Sequence, residues 1–539
     1  MRVRTDVEQR HDAAPESLHA AVARRLGVAL EAVEGVEVVR RALDARAKRA
    51  TPTWRLTVDV LLRSPPRRRR KGQTWSQVPP APEPLRSPRM ARDRPVVVVG
   101  AGPAGLFAAW HLAEHGARVL LLERGKPVET RARDFGRFRG RGELDPESNI
   151  CFGEGGAGTY SDGKLYTRKK DPLIPEVLGR MVRCGAPARI GIDAKPHIGT
   201  NLLFRMLKGI RAELEALGVT LRFQTKVTGL RRVGGRVTGV RLSGGEILDA
   251  GAVVLAIGHS ARDTFEALLE DGIPMEPKPF AVGVRAEHPQ ALIDAAQYGL
   301  PGAGQPVRDL RASPRPSTLP PADYRLAAQV EDDRGVWSFC MCPGGMIVPT
   351  STEPDMVVVN GMSSARRSTP FANSGLVVHV GLEDLEREGH RGPLAGVSFQ
   401  RSLEEAAFRA GGGGYFAPAM RAADLVSGRS AGRLAETHFR PGLTPVDLRE
   451  VLPAFVSESL AAGLARFDHT LPGYASTDAN LIAVESRTSS PIRIPRDHLH
   501  QVAETPGLFV AGEGPGYAGG IMSAAIDGLR TADGVLRST

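Results

Sequence analysis

The sequence predicts an α/β protein in three parts: a parallel-sheet nucleotide-binding domain discontinuous along the chain, an inserted mixed α/β domain, and a small N-terminal α+β module. Three stretches carry this expectation. "VVVVGAGPAGLFAAWHLAEHGARVLLLERG" (96–125) reads as strand, glycine turn, helix and second strand. "AVVLAIG" (252–258) reads as another buried strand. "GLFVAGEGPGYAGGIMSAAIDG" (507–528) returns to strand, glycine loop and helix.

The elements follow in order. Residues 1–63 form the N-terminal module, with helical spacing in "PESLHAAVARRLGV" and strands in "VEVVRRALDAR" and "TWRLTVDVLL". Residues 64–95 are rich in Pro and Arg without apolar periodicity and read as an exposed linker. The nucleotide-binding domain then occupies 96–275, with helices over 103–115 and 199–217 and short strands turning at Gly-Gly pairs. Residues 276–475 alternate strands with Pro and Gly loops, contain few long helices, and read as the inserted substrate or cap domain. Residues 476–539 complete the nucleotide-binding domain.

Composition narrows the function classes. At 539 residues the chain is long enough for two or three domains, and no run of about 20 apolar residues suggests a membrane span. The N-terminus "MRVRTDVEQRHD" lacks a signal-peptide core, so the expected location is the cytoplasm. Four cysteines make no disulfide framework. The net charge of +11 invites a nucleic-acid reading, but Arg greatly outnumbers Lys, a bias that genome composition produces. The densest run, "RRRRK" (67–71), sits in the linker, so nucleic acid is not the expected partner. No metal site is expected.

In "GAGPAG", Gly100 makes the turn after the strand, Gly102 leaves room for a pyrophosphate, and Gly105 lets helix and strand approach. The helix that opens at Pro103 and Ala104 points free N–H groups at the phosphates. Glu123, ending the second strand, can accept both ribose hydroxyls and would repel a 2′-phosphate. The turn alone leaves NAD and FAD open.

The segments "GAGPAGLFAA…LLERG", "AVVLAIGHSARDT" and "GLFVAGEGPGYAGG" together resemble the glutathione-reductase-like flavoproteins. The resemblance implies FAD. It also implies contacts with the linkage of the cofactor at Ala256 and Gly258, and with its flavin half at Gly512 and Glu513, where the wider group more often has Asp. "NICFGEGGAGTYSDGKLYTR", "FCMCPGGMIVPTSTE" and "VESRTSSPIRIPRD" extend the likeness to nearly the whole chain. It is similar to bacterial FAD-dependent dehydrogenases of undefined substrate. On that likeness the loop 151–165 lies over the flavin, bringing in Gly155, Gly156, Thr159, Ser161, Asp162, Gly163 and Lys164. Gly519, Gly520 and Ile521 open a helix aimed at the N1–C2=O edge, where its dipole would raise the reduction potential. Arg124 and Val227 complete the candidate cofactor set.

The catalytic residue remains open, with Arg487, Ser489 and Cys342 as candidates. Arg487 and the neighbouring hydroxyls suit a carboxylate or carbonyl substrate. His259 reads as structural rather than as a proton donor. Cys340 and Cys342 form a C-x-C, but alternate residues of an extended strand are poorly placed for a disulfide, so packing is the stronger reading. No second strand–GxGxxG–helix unit follows, so NAD(P)H, if used, binds transiently as electron donor. The expected activity is hydride transfer to or from the flavin N5 with a small-molecule substrate. The alternative is a FAD-dependent tRNA-modifying protein.

Overall fold

The computed structural model describes residues 1–14, 17–45, 51–64, 75–80, 82–89, 94–167 and 170–538. The "RRRRK" run lies outside them.

Four-valine strand Val96–Val99 sits at the centre of a five-stranded sheet. Its order is Leu508–Val510, Ala252–Leu255, Val96–Val99, Val119–Leu122, Thr220–Arg222. Every pairing is parallel. The central strand, its two neighbours and the C-terminal edge strand are buried almost throughout, so they read as continuous apolar runs rather than alternating ones. All five carboxyl ends open onto one edge, where Gly100, Glu123, Ala256 and Gly512 follow their strands.

Helices Pro103–Glu114 and Ile521–Arg537 cross closely on one face of this sheet. A β-carbon on Gly528 would stand 2.1 Å from the Ala104 carbonyl oxygen, so glycine sets this crossing. The two helix N-termini therefore meet at the same edge. Sequence spacing missed helices Val128–Arg141 and Ile174–Arg183; the first reads as a charged loop because five of its fourteen residues are Arg.

The second large body is a seven-stranded sheet. Its order is Ala327–Gln329, Gly335–Cys342, Phe371–Val380, Phe280–Pro289, Asn480–Glu485, Ala417–Arg421, Leu443–Pro445. Strand Asn480–Glu485 lies within 476–539, yet it pairs here, antiparallel to Phe280–Pro289. The region also holds two long helices, Ala395–Ala410 and Ala454–Thr470, which its Pro and Gly content concealed. Helix Ala454–Thr470 covers one face, with Gly463 against Val336. Hairpin Met346–Pro349/Val359–Met362 covers the other face, where a β-carbon on Gly361 would come within 2.3 Å of the Arg285 guanidinium.

The N-terminal module is a four-stranded sheet ordered Val33–Asp44, Thr53–Leu62, Arg2–Arg10, Trp75–Gln77, with helix Ser17–Leu26 packed on it. Two elements escaped the sequence reading. In strand Arg2–Arg10, buried Val3, Thr5 and Val7 alternate with exposed charges, and those charges masked the strand. In the expected linker, Trp75–Gln77 adds an edge strand, and Ser87 bonds Asp533 at 2.6 Å and His111 at 2.8 Å. Trp75–Gln77 and Ser87 are thus tied to folded parts of the protein.

Candidate functional site

The site lies where the glycine turn, the loop after Cys151 and the seven-stranded sheet come together. Gly100 has φ +104°, and a β-carbon there would lie 2.4 Å from the Ala256 carbonyl oxygen; one on Gly105 would lie 1.8 Å from the Gly100 oxygen. Both glycines are demanded by the fold itself. Gly102 is not. A β-carbon there would meet only Gly156 Cα, at an ordinary 3.9 Å. The helix N-terminus at Gly102 carries no side-chain cap, and neither does the one at Gly520. Uncapped first-turn N–H groups at both places are available to an anion.

Glu123 is buried, and its carboxylate accepts from three backbone N–H groups: Ala101 at 2.8 Å, Gly125 at 2.9 Å and Gly153 at 2.9 Å. It clasps the first turn to the two loops beside it. Two donors already occupy Oε1 and one occupies Oε2, which leaves room for one further in-plane bond rather than the pair expected for a ribose. The Arg124 guanidinium stacks 4.0 Å over Phe152 and bonds Glu147 and Asp263. Its charge is committed to these two carboxylates. Lys226 joins the same two carboxylates, and Val227 is buried at the start of the adjacent hairpin.

The loop after Cys151 lies directly on the glycine turn. Gly155 N–H donates to the Ala101 oxygen at 2.8 Å, and Gly156 approaches Gly102. Gly158 faces Ile521 and Pro103, so three distant sequence segments meet at one point. The residue that shapes this loop was missed by sequence reasoning. Fully buried Arg131 donates to the carbonyls of Asn149, Ile150, Glu154 and Gly156 and to Thr159 Oγ1, over distances of 2.6–3.1 Å. In "VETRARDFGRF" nothing separates it from its solvent-facing neighbours except its helical position. Thr159 and Ser161 also spend their hydroxyls within the loop, on the Glu154 and Gly158 carbonyls.

Gly258 and Gly519, like Gly520, face open space. Gly512 donates to Asp527 at 2.7 Å. Glu513 contacts His259 Nδ1 at 3.0 Å, while His259 Nε2 lies 3.1 Å from the Arg487 carbonyl oxygen, so the imidazole bridges two loops.

Beyond Gly163 the loop reaches the sheet. Buried Asp162 accepts from Ser363 and from Arg367 Nε at 2.9 Å; Arg367, Lys164 and these bonds outweigh its desolvation and hold it at about 2. Lys164 donates to the Met341 carbonyl; burial disfavours its ammonium, but the neighbouring Cys340, Cys342 and Asp162 outweigh burial and raise its pKa. Under the sheet, fully buried Arg285 donates to Asn373 at 2.9 Å, Asn360 at 3.1 Å, Glu485 at 2.9 Å and the Cys340 carbonyl at 2.6 Å. Three cations (Arg285, Lys164, Arg367) thus face two carboxylates (Asp162, Glu485). The signal in the sequence was an Arg inside "FAVGVRAEHP", a strand buried at all ten positions.

Among the three catalytic candidates, Arg487 is corrected. All three of its nitrogens are bonded, Nε and Nη2 to Glu404 at 3.0 and 2.7 Å and Nη1 to Thr352 at 2.6 Å. Glu404 also takes both Nη atoms of Arg262. Arg487 is therefore half of a buried clamp on Glu404 of helix Ala395–Ala410, and its Nε–Nη2 edge is spent on that carboxylate rather than free for a substrate. Ser489 is half-buried, without a side-chain hydrogen bond among the described residues. Cys342 is fully buried under Arg285, whose Nη2 lies 3.6 Å from its sulfur. The strand carrying it is not regular. Pairing runs evenly to Phe339↔Gly375 and resumes at Cys342↔Asn373, one residue late, with Cys340 at φ +45°. At this bulge Cys340 and Cys342 are not alternate residues of a regular extended strand.

Residues 95–180 and 203–329 match a family model described as FAD dependent oxidoreductase, and 279–488 match one described as FAD-dependent protein, C-terminal domain-like. Residues 1–61 match a domain of unknown function. An uncharacterised protein of Clostridium beijerinckii is 39% identical over 526 residues, covering 96% of this chain and 95% of its own. The chain belongs to this family of FAD-dependent oxidoreductases. D-proline dehydrogenase of Pyrobaculum islandicum is 25% identical over 252 residues, 34% of this chain and 64% of that one. Among solved structures, CtdE in complex with FAD shares 12% identity over 83% of this chain and 88% of its own, with a TM-score of 0.31.

The surroundings of the glycine turn suit FAD. Gly102 is a glycine that the protein's own packing does not require, two uncapped helix N-termini adjoin it, and open space lies at Gly258, Gly519 and Gly520. A dinucleotide lying on Gly102 has the 151–164 loop as its path toward the sheet. No helix among the described residues is long and apolar enough to cross a membrane.

Proposed function

We propose that the enzyme oxidises a small molecule by hydride transfer, with the reacting carbon held between Lys164 and the buried polar face of the seven-stranded sheet. The observation that carries this is the Lys164–Met341 contact, where the loop that starts on the glycine turn touches the Arg285 cluster. When bound, FAD supplies the two-electron acceptor, taking hydride at N5 from a substrate C–H or from NAD(P)H. The chain's own residues do the rest. Arg131 and Glu123 hold the loop, and Gly153–Gly156 allow close backbone approach. Lys164 Nζ, with hydrogens left beyond its bond to Met341, orients a substrate oxygen or nitrogen. Arg285 keeps the bulged strand in place. The seven-stranded sheet and its hairpin cover the site and exclude water.

The test is anaerobic mixing of holoenzyme with NADH, NADPH, amino acids and 2-hydroxy acids. At least one donor should bleach the flavin, more slowly when deuterated at the donated position. Lys164→Met should slow that step by ~10²-fold with FAD retained. A flavin that light reduces but no donor bleaches would overturn the proposal. So would turnover on tRNA alone, the alternative raised by the basic composition.

A further inference from the structure

We infer that Cys340 and Cys342 are a redox-active dithiol pair that exchanges with small disulfides, Cys340 attacking and Cys342 resolving. Four observations point to it. The bulge places one extra residue between Phe339 and Cys342 relative to the partner strand, and Cys340 occupies the left-handed region that a β-carbon resists. Cys342 Sγ donates to the Cys340 carbonyl at 3.4 Å, and each thiol is the strongest influence on the other's ionisation.

Second, the exposure is asymmetric. Cys340 is half-buried and Cys342 fully buried, the arrangement of an accessible attacker and a sheltered resolver. Third, cations surround the pair. Arg285 Nη2 reaches both the Cys340 carbonyl and the Cys342 sulfur, and Lys164 donates to the carbonyl of Met341 between them. Fourth, the cations are held by Asp162, Glu485 and, at longer range, Asp323, and the thiols of Cys340 and Cys342 add to the negative field on Lys164 and Arg285. The hydrogen bond from Cys342, with Lys164 and Arg285, holds Cys340 well below the usual thiol range; the same bond and burial push Cys342 up.

The exchange balances. Cys340 thiolate attacks one sulfur of the disulfide RS–SR, forming Cys340–S–SR and releasing RS⁻, which takes a proton. Cys342 then loses its proton and attacks the Cys340 sulfur, releasing the second RS⁻. The net change is dithiol plus disulfide to intrachain disulfide plus two thiols. The strand carrying these residues borders the site proposed for hydride transfer, but the exchange does not depend on that reading.

The test uses holoenzyme in a Cys151→Ser/Cys184→Ser background, exposed to oxidised glutathione and read by intact mass and peptide mapping. The expected product has lost two hydrogens, with the crosslink in the peptide spanning Cys340 and Cys342. Cys342→Ser should instead trap a glutathione adduct at Cys340 that dithiothreitol removes, and Cys340→Ser should show neither. Near pH 6, iodoacetamide should alkylate Cys340 at least ~10-fold faster in the folded protein than in urea. An unchanged mass together with alkylation no faster than in urea would overturn the inference, as would an adduct that persists in Cys340→Ser. The crosslink mapping and the site-resolved alkylation rate, repeated on the unsubstituted holoenzyme, stand even if a serine variant fails to fold.

Discussion

Glu404 is the anchor of a buried ion cluster. Its carboxylate is at 0% exposure and bonds two guanidiniums, Arg262 at 1% and Arg487 at 5%. Glu404→Ala leaves two desolvated cations sharing only the more peripheral Glu353, which reaches Arg262 at 3.2 Å. Removing one partner of a buried ionic pair costs about 3–5 kcal/mol. At about 2.1 cal/mol/K per residue, cooperative melting of the chain has an unfolding entropy near 1.1 kcal/mol/K, so about 4 kcal/mol lowers Tm by about 3–4 °C. If only the cap melts, the drop is larger. Differential scanning calorimetry reads it. The clamp also predicts a pH effect. The two guanidiniums hold the Glu404 pKa below its ordinary value, so its contribution is present above about pH 4.5 and lost as pH falls. The matching control, Arg262→Met/Glu404→Leu/Arg487→Met, should recover most of the lost stability, since an apolar trio pays no desolvation. A Tm unchanged in Glu404→Ala, or a triple variant as damaged as the single one, would refute the clamp.

Gly102→Ala and Gly105→Ala should separate ligand from fold. The first should melt normally as apoprotein and lose FAD, measured by flavin released on denaturation; the second should be destabilised with or without FAD, because its β-carbon meets backbone at 1.8 Å. Arg131→Met should leave buried carbonyls without donors, at about 1–3 kcal/mol each where they cannot relax; faster proteolysis within 149–159 and weaker FAD retention are the readouts. Glu287 is buried, with Thr437 and the His438 backbone close by but short of normal hydrogen-bond geometry, and burial pushes it up to about 7. A raised carboxyl pKa favours the fold below about pH 4.5 and loses that advantage as pH rises to about 7, at most about 3 kcal/mol. Glu287→Gln should therefore match wild type near pH 5 and be the more stable protein near pH 8, by urea melts at both pH values.

Much of the nucleotide-binding half is legible from sequence because its signals are local. A glycine needed at φ +104°, a buried four-residue strand and an acidic residue ending the next strand are each written within a few positions. The strand ends follow the same logic, and the helix expected over 103–115 spans Pro103–Glu114. What escaped the reading depends on partners far away. Strand Arg2–Arg10 looks like a charged tail until Val3, Thr5 and Val7 find helix Ser17–Leu26. Arg487 looks like a substrate ligand until Glu404, 83 positions earlier, takes its charge.

By itself, then, the sequence determined where a dinucleotide turn, its companion strands and its C-terminal helix lie, since backbone conformation and apolar runs are short-range properties. Only the tertiary structure decided which charges remain free and which are spent. Arg131 and Arg285 read like any other arginine in the chain, yet each is buried with its donors used. Cys340 and Cys342 read as an extended C-x-C, yet a one-residue slip against a strand some thirty positions later breaks that extended geometry. A charge or thiol takes its chemistry from what surrounds it, and here those surroundings are assembled from strands and helices distant in sequence.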